Sequence, residues 1–224
     1  MRVPSLVAVG VLAFPGICGL LMAQAALSGD AALKPQITFT LDFPGSEPAH
    51  YAIAVDAGGH GSYESAVKEG EGAAEQTYQT EFEMSAGNRD RIFEWAKQAQ
   101  YFAGKIDSGK HNLAFTGSKM LSYQDGQRSF TARYNYSSQE AVRQLTAFFQ
   151  NMAGTLEYGR RLTYYHRYQK LALDDELKHM EAQARNNELS EIQVVAPVLR
   201  EIVEDASVIK VVRARAKELM EMGK

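Results

Sequence analysis

The first half of the chain alternates between apolar and polar positions. Ile37, Phe39, Leu41 and Phe43 are separated by Thr38, Thr40 and Asp42, the period-two pattern of a half-buried strand. Pro44-Gly45-Ser46-Glu47-Pro48 ends it. Tyr51, Ile53 and Val55 then alternate with Ala52, Ala54 and Asp56, and Asp56-Ala57-Gly58-Gly59 leads into a returning strand over 60–65. This predicts a hairpin. With its turn centred on Ala57-Gly58, His60 falls opposite Val55 and His50 opposite Ser65. Residues 68–72 read as a loop and 78–84 as another alternating strand. Ile92, Phe93, Ala96 and Ala99 recur at helical spacing, which predicts a helix over 89–100. Asp125-Gly126, between the alternating runs 120–123 and 129–134, is the strongest hairpin signal in the chain.

At Ser137 the period lengthens. Ser137-Ser138-Gln139-Glu140 has the form of a capping box, with Ser137 as N-cap. Val142, Leu145, Phe148, Phe149, Met152 and Leu156 follow at three- and four-residue steps, and Leu162 and Tyr165 carry the pattern to about residue 169. A helix of about 32 residues would be about 48 Å long. Gly154 and Gly159 are its weak points, each costing about 1 kcal/mol against Ala. Asp174 or Asp175 caps a next helix carrying Leu177 and Met180. Ser190-Glu191-Ile192-Gln193 is a second capping box leading into Val195, Leu199, Ile202 and Val203; Pro197 either kinks that helix or occupies its first turn. Asp205 caps a last helix with Ile209, Val212, Ala216 and Leu219. Residues 194–220 are similar to one HEAT-type repeat, but no second copy follows in phase, so a closing helical hairpin is expected. The expected fold is α+β: an antiparallel sheet of about six strands with one packed helix, then a long helix and an all-helical C-terminal subdomain.

The 29 residues before Asp30 hold one charge, Arg2, and residues 3–22 are mainly apolar up to the small-x-small site Ala23-Gln24-Ala25. That is the pattern of a cleaved secretory signal peptide. Pro15 and Gly16 fall mid-segment, which argues against a retained anchor. Ile17 before Cys18 argues against lipidation. The predicted organisation is a signal peptide over 1–25, a short linker over 26–35, a sheet domain over 36–137 and a helical subdomain over 138–224. Cleavage would remove the only cysteine, so the mature protein would have no disulfide, thiol nucleophile or thiolate metal site. It would also have no transmembrane segment. The 224-residue chain has a formal net charge of −3, which gives no global reason to bind nucleic acid.

Pro48, Tyr51, Ile53, Val55, Gly59, Gly61, Tyr63 and Glu64 form a pattern of proline, tyrosine, alternating strand, glycine turn and returning Tyr-Glu. With the helix around Ile92-Phe93, Tyr101-Phe102 behind it and the Asp125-Gly126 hairpin, residues 36–150 resemble a bacterial exported domain family of unknown function. The resemblance implies the sheet fold and export, and it carries no established activity. The family typically has a Cys-Phe-Gly-x-Cys-Pro segment before the tyrosine. Here that stretch reads Phe43-Pro44-Gly45-Ser46-Glu47-Pro48, which removes any function that needs those thiols.

Chemistry-bearing residues are sparse. His50 and His60 lie too far apart along the hairpin to share an ion, and Asp175 with His179 is half a metal site at most. Ser65-Ala66-Val67-Lys68 and Ser207-Val208-Ile209-Lys210 match Ser-x-x-Lys, but no Ser-Asp-Asn or Lys-Thr-Gly accompanies them. Gly58-Gly59-His60-Gly61 is not a phosphate loop, and neither a nucleophile elbow nor a calcium loop is present. The most informative stretch is 158–170, which carries Arg160, Arg161, Arg167 and Lys170 with Tyr158, Tyr164, Tyr165 and Tyr168 and no acid. Arg160, Arg161, Tyr164, Arg167, Tyr168 and Lys170 are the candidate anion or partner site. The competing reading packs Tyr158, Leu162 and Tyr165 on a neighbour and pairs the arginines with water or with Asp174-Asp175-Glu176.

These patterns lead to an exported, non-catalytic binding or interaction protein that uses no cofactor and no metal. Its partner would be a protein, a glycan or a small molecule, with no specific nucleic acid. Two alternatives stand beside it. One is a small hydrolase or transferase that gathers Asp42, Glu64 and Asp125 with a histidine. The other is a homo-oligomer assembled through the long helix.

Overall fold

The computed structural model describes residues 34–68, 75–110 and 112–223. The predicted signal peptide, most of the linker and His111 lie outside the described residues. Six strands, β1 (Gln36–Asp42), β2 (His50–Asp56), β3 (His60–Lys68), β4 (Glu75–Glu83), β5 (Ser118–Gln124) and β6 (Ser129–Tyr134), form one antiparallel sheet in the order β4-β3-β2-β1-β5-β6. The helices are α1 (Ala86–Gln98), α2 (Glu140–Tyr168), α3 (Leu173–Arg185), α4 (Ala196–Glu204) and α5 (Lys210–Met222). The fold is α+β, and the described residues form one compact unit.

Alternation places Ile37, Phe39, Leu41, Tyr51, Ile53, Val55, Tyr63, Leu121 and Tyr123 on one face of the sheet. Ile92 and Ala96 of α1 and Val142, Leu145, Phe149 and Met152 of α2 cover that face. Phe39 and Phe149 stack with ring centroids 5.5 Å apart. Beyond Leu156 the same helix enters a second apolar cluster, giving Tyr158 and Leu162 to Leu173, Leu177, Met180, Leu199, Ile202, Val212, Ala216 and Leu219. The long helix, 29 residues or about 44 Å, therefore feeds two cores, which explains why its buried stripe extends from Ala141 to Leu162.

Several element ends differ from expectation. Helix α2 begins at Glu140 behind Gln139 and has no side-chain cap. Ser137 is buried, and its hydroxyl accepts the N–H of Gln139 at 3.2 Å. Glu140 bonds to Arg143 and Gln144 instead of reaching back, so no capping box forms. Helix α1 starts three residues before the predicted Arg89. Asp174 and Asp175 lie inside the first turn of α3, where they complement the helix dipole, rather than at its cap. The second box also fails. Residues 192–195 form a 3₁₀ turn, and Pro197 sits in the first turn of α4, where its missing N–H costs nothing. Asp205 accepts the amide and hydroxyl of Ser207 in a turn, five residues before α5.

Two glycines of α2 have opposite meanings. A Cβ on Gly159 would lie 2.6 Å from Cγ1 of Val195, whereas one on Gly154 meets only Leu189 Cδ2, at 3.4 Å. Propensity alone predicts that alanine stabilises both positions. The expected result is that Gly154→Ala is neutral or stabilising by up to about 1 kcal/mol, while Gly159→Ala costs about 1–3 kcal/mol through overpacking. Urea unfolding of the two variants checks the difference in sign.

Candidate functional site

The basic and aromatic residues singled out from sequence occupy the last turns of α2 and the residues after it, and most are engaged internally. Arg160 donates from Nε to Glu157 at 2.8 Å. Arg161 donates to Glu176 at 2.6 Å and stacks on Tyr158, with the guanidinium carbon 4.7 Å from the ring centroid. Lys170 binds Asp205 and Ser207, both at 2.6 Å. Tyr158 and Leu162 are buried and Tyr165 packs against them. Tyr164 and Tyr168 remain exposed with ring centroids 5.2 Å apart. Arg167 lies over Tyr168 and is the one cation of the group without a carboxylate partner among the described residues.

The scattered carboxylates do not converge. Asp42 is paired in register with Ser118 at one end of β5, and Asp125 follows Gln124 at the other, about 20 Å away along the strand. Glu64 lies on the opposite face of the sheet from the helices and accepts the Gln79 amide at 2.7 Å. The β2–β3 turn centres on Gly58, so Val55 pairs with Gly61 and Tyr51 with Ser65, one residue from the predicted register. Asp56 sets this by accepting the amides of Gly58 at 2.7 Å and His60 at 3.0 Å. The separation of the two histidines survives the shift: His50 binds Asp42 at 2.5 Å, and His60 binds Glu83. His179 is exposed, and Asp175 pairs with Lys178. Ser65 is buried, and its hydroxyl donates to Glu157. Ser207 donates to Asp205, so Asp205 sits between the serine and His166 instead of behind the histidine, which is not a catalytic-triad order.

The sheet face away from the helices is open. Among the described residues the helices pack on one side only, and the other side presents Gln36, Thr38, Ala52, Ala54, Ser62, Glu64, Gln79, Glu81 and Glu83. The small side chains of Ala52, Ala54 and Ser62 leave a trough between taller neighbours. Two concavities of about 480 and 530 Å³ adjoin there and share Ala54, Ser62 and Glu81. The acids Asp56, Glu64, Glu81 and Glu83 line them. Lys34 approaches Asp56 at 3.6 Å and His60 binds Glu83, but neither Glu64 nor Glu81 has a cationic partner among the described side chains. The sequence showed this site only as small residues at the polar positions of strands, a pattern that equally fits a solvated face.

Sequence reading missed two buried carboxylates. Glu157 falls four residues after Ala153 and eight after Phe149, so it lies on the core stripe of α2, and its residue is 4% exposed. Its Oε1 accepts the hydroxyls of Tyr63 and Ser65, each at 2.8 Å, and its Oε2 accepts Arg160. Burial, with the adjacent Glu157 charge, pushes the Tyr63 phenol far above its ordinary value and keeps it a donor. Glu191, also 4% exposed, has left-handed backbone with φ 56°. It accepts the amide and hydroxyl of Ser85 at 2.8 and 2.7 Å, and the side-chain amides of Asn88 and Gln193. It thus supplies the carboxylate at the start of α1 that the local sequence lacks.

Several surface carboxylates are held below their ordinary range. The amides of Gln127 and Arg128 and the Arg128 guanidinium hold Asp125 at about 2, against the opposing effect of burial. Lys170 and the Ser207 hydroxyl and amide hold Asp205 lower still. A depressed folded value means stability that is complete above the unfolded value near 4 and is lost as pH falls through the folded one. Stability is therefore expected to decline from about pH 4 and to keep falling to about pH 2. Asp125→Asn should flatten that decline in urea unfolding measured across the range.

Among the described residues no helix is long and apolar enough to cross a membrane, and no group of three or more His, Cys, Asp or Glu side chains is placed to hold a metal ion. No known family model matches the chain, and no curated protein matches it.

Proposed function

We propose that this chain is an exported, non-catalytic binding protein that receives a cationic ligand on the uncovered face of its sheet. The observation that carries the reading is the trough over Ala52, Ala54 and Ser62, a preformed concave surface bordered by Asp56, Glu64, Glu81 and Glu83. Concave sites with convergent polar groups are where proteins commonly bind ligands. A surface lined by one sign of charge attracts the opposite sign. The wide separation of Asp42, Glu64 and Asp125 favours binding over acid–base chemistry, which needs its groups within hydrogen-bond reach of one substrate. Export rests on the apolar segment over 3–22 and the Ala23-Gln24-Ala25 site.

Titration of the purified chain with oligolysine tests the ligand class. Binding should weaken as salt rises, because exposed charges are screened beyond about 8 Å at physiological ionic strength. The triple variant Glu64→Gln/Glu81→Gln/Glu83→Gln should bind about tenfold more weakly, the effect of losing roughly 1.4 kcal/mol. Unchanged affinity in that variant would overturn the assignment of the site.

A further inference from the structure

The rim of the trough is strand β4, which lies at the edge of the sheet. β3 pairs with it over nine residues, from His60 with Glu83 to Lys68 with Glu75, without a bulge. No described residue pairs with its other side. An open strand edge is a row of unpaired N–H and C=O groups, and proteins usually protect such edges with charged side chains, lysine above all, or with proline, a bulge or a short length. β4 runs nine residues with no proline, lysine or bulge, and its only charges are those of Glu75, Glu81 and Glu83, which repel another acidic edge but admit a basic one. The other edge, β6, has six residues, and the segment beside it is engaged just past its end, where Asp107 accepts the Asn135 amide at 2.9 Å and Ser108 donates to Tyr136 at 2.8 Å.

We infer that β4 is a docking edge for an extended, basic polypeptide segment that joins the sheet as a seventh strand. The inference rests on the cationic-ligand reading and names the ligand as a peptide. The two faces of β4 specify the pattern of the incoming strand. On the open face stand Gln79, Glu81 and Glu83, and the two carboxylates call for lysine or arginine at the alternate positions that face them. On the helix face Tyr78 and Thr80 are half-buried beside Phe82, and an apolar side chain at the intervening positions would cover them. Backbone pairing supplies affinity and the alternating side chains supply selectivity, as in other cases of strand addition. A second copy of this chain fits less well. Pairing β4 with itself would bring two sets of Glu81 and Glu83 onto one continuous face, and like charges side by side oppose association.

The probe is a capped nine-residue peptide of alternating lysine and valine, compared with oligolysine of equal charge and with two N-methylated forms, one for each set of alternate amides. N-methylation removes N–H donors while leaving charge and side chains in place. The alternating peptide should bind more tightly than oligolysine, slow hydrogen exchange in β4, and lose about tenfold in affinity in the one N-methylated form that blocks the pairing edge. Glu81→Lys/Glu83→Lys should transfer preference to the corresponding glutamate–valine peptide. If both N-methylated forms bind as well as the parent, strand addition is wrong while the cationic site stands. If neither the peptide nor oligolysine binds, both readings fall. Concentration-dependent dimerisation that protects β4, without peptide binding, would assign the edge to a second copy and overturn the inference.

Discussion

Glu157→Ala is expected to lower stability by about 3–5 kcal/mol, the cost of removing one member of a buried pair. For a chain of this size that is a fall in Tm of about 10 °C. The loss has two sources. The hydroxyls of Tyr63 and Ser65 are left without their acceptor inside the sheet–helix interface, and Arg160 loses its counter-charge. Arg160 keeps 14% of its side chain exposed and can recover part of its hydration, so the lower half of that range is expected. Glu157→Gln keeps an oxygen acceptor and should cost less. The double variant Glu157→Met/Arg160→Met should cost less than Glu157→Ala, because an apolar replacement of both charges avoids a stranded ion. Thermal and urea unfolding of the three variants measures the order. A loss below about 1 kcal/mol for Glu157→Ala would show that the hydrogen bonds add nothing beyond packing.

Glu191→Ala is expected to cost about 2–4 kcal/mol, because four donors converge on this one carboxylate, and hydrogen bonds to a charged group contribute roughly 1.5–3 kcal/mol each before neighbours compensate. The left-handed backbone at this position adds a second effect. Alanine keeps the strain of φ 56°, whereas glycine adopts that region freely, so Glu191→Gly should be the less destabilised of the two by about 1 kcal/mol. The damage should be local. Glu191 ties the start of α1 to the turn before α4, so hydrogen exchange should accelerate there before it does in β1 or β2, which lie in the middle of the sheet. Equal exchange throughout the chain would contradict this role.

These two residues also mark the limit of what could be read in the sequence. The six strands and the change of period at Ser137 were legible because alternation and helical spacing are local patterns, and the sheet buries one face only. Arg161 with Glu176 was also visible, since a helix and the one after it lie close in sequence. Glu157 and Glu191 were not, because Tyr63, Ser65, Ser85 and Asn88, which they bind across the fold, are 92 to 106 residues away and no local pattern distinguishes a buried glutamate from a solvated one. The capping boxes failed as well. Ser137 accepts the Gln139 amide, Glu140 turns forward to Arg143 and Gln144, and Gln193 donates to Glu191, so neighbouring groups took the side chains that the capping pattern assigned to caps. Gly159 read as a weak point of α2, and only the close approach of Val195 explains it. The trough was hidden because a row of small residues shows its depth only when its taller neighbours are placed around it.

The candidate residues Arg160, Arg161, Tyr164, Arg167, Tyr168 and Lys170 and the trough offer opposite chemistries, one cationic and aromatic, the other acidic. The placement of Arg160, Arg161 and Lys170 in internal ion pairs shifts the balance towards the trough.

Amide chemical-shift mapping of the labelled chain during titration with oligolysine tests the central claim most directly. The account predicts saturable shifts centred on Ala52, Ala54, Ser62, Glu64 and residues 79–83, which diminish with salt and disappear in Glu64→Gln/Glu81→Gln/Glu83→Gln. Shifts confined to residues 164–170, or no saturable shifts at any residue, would contradict it.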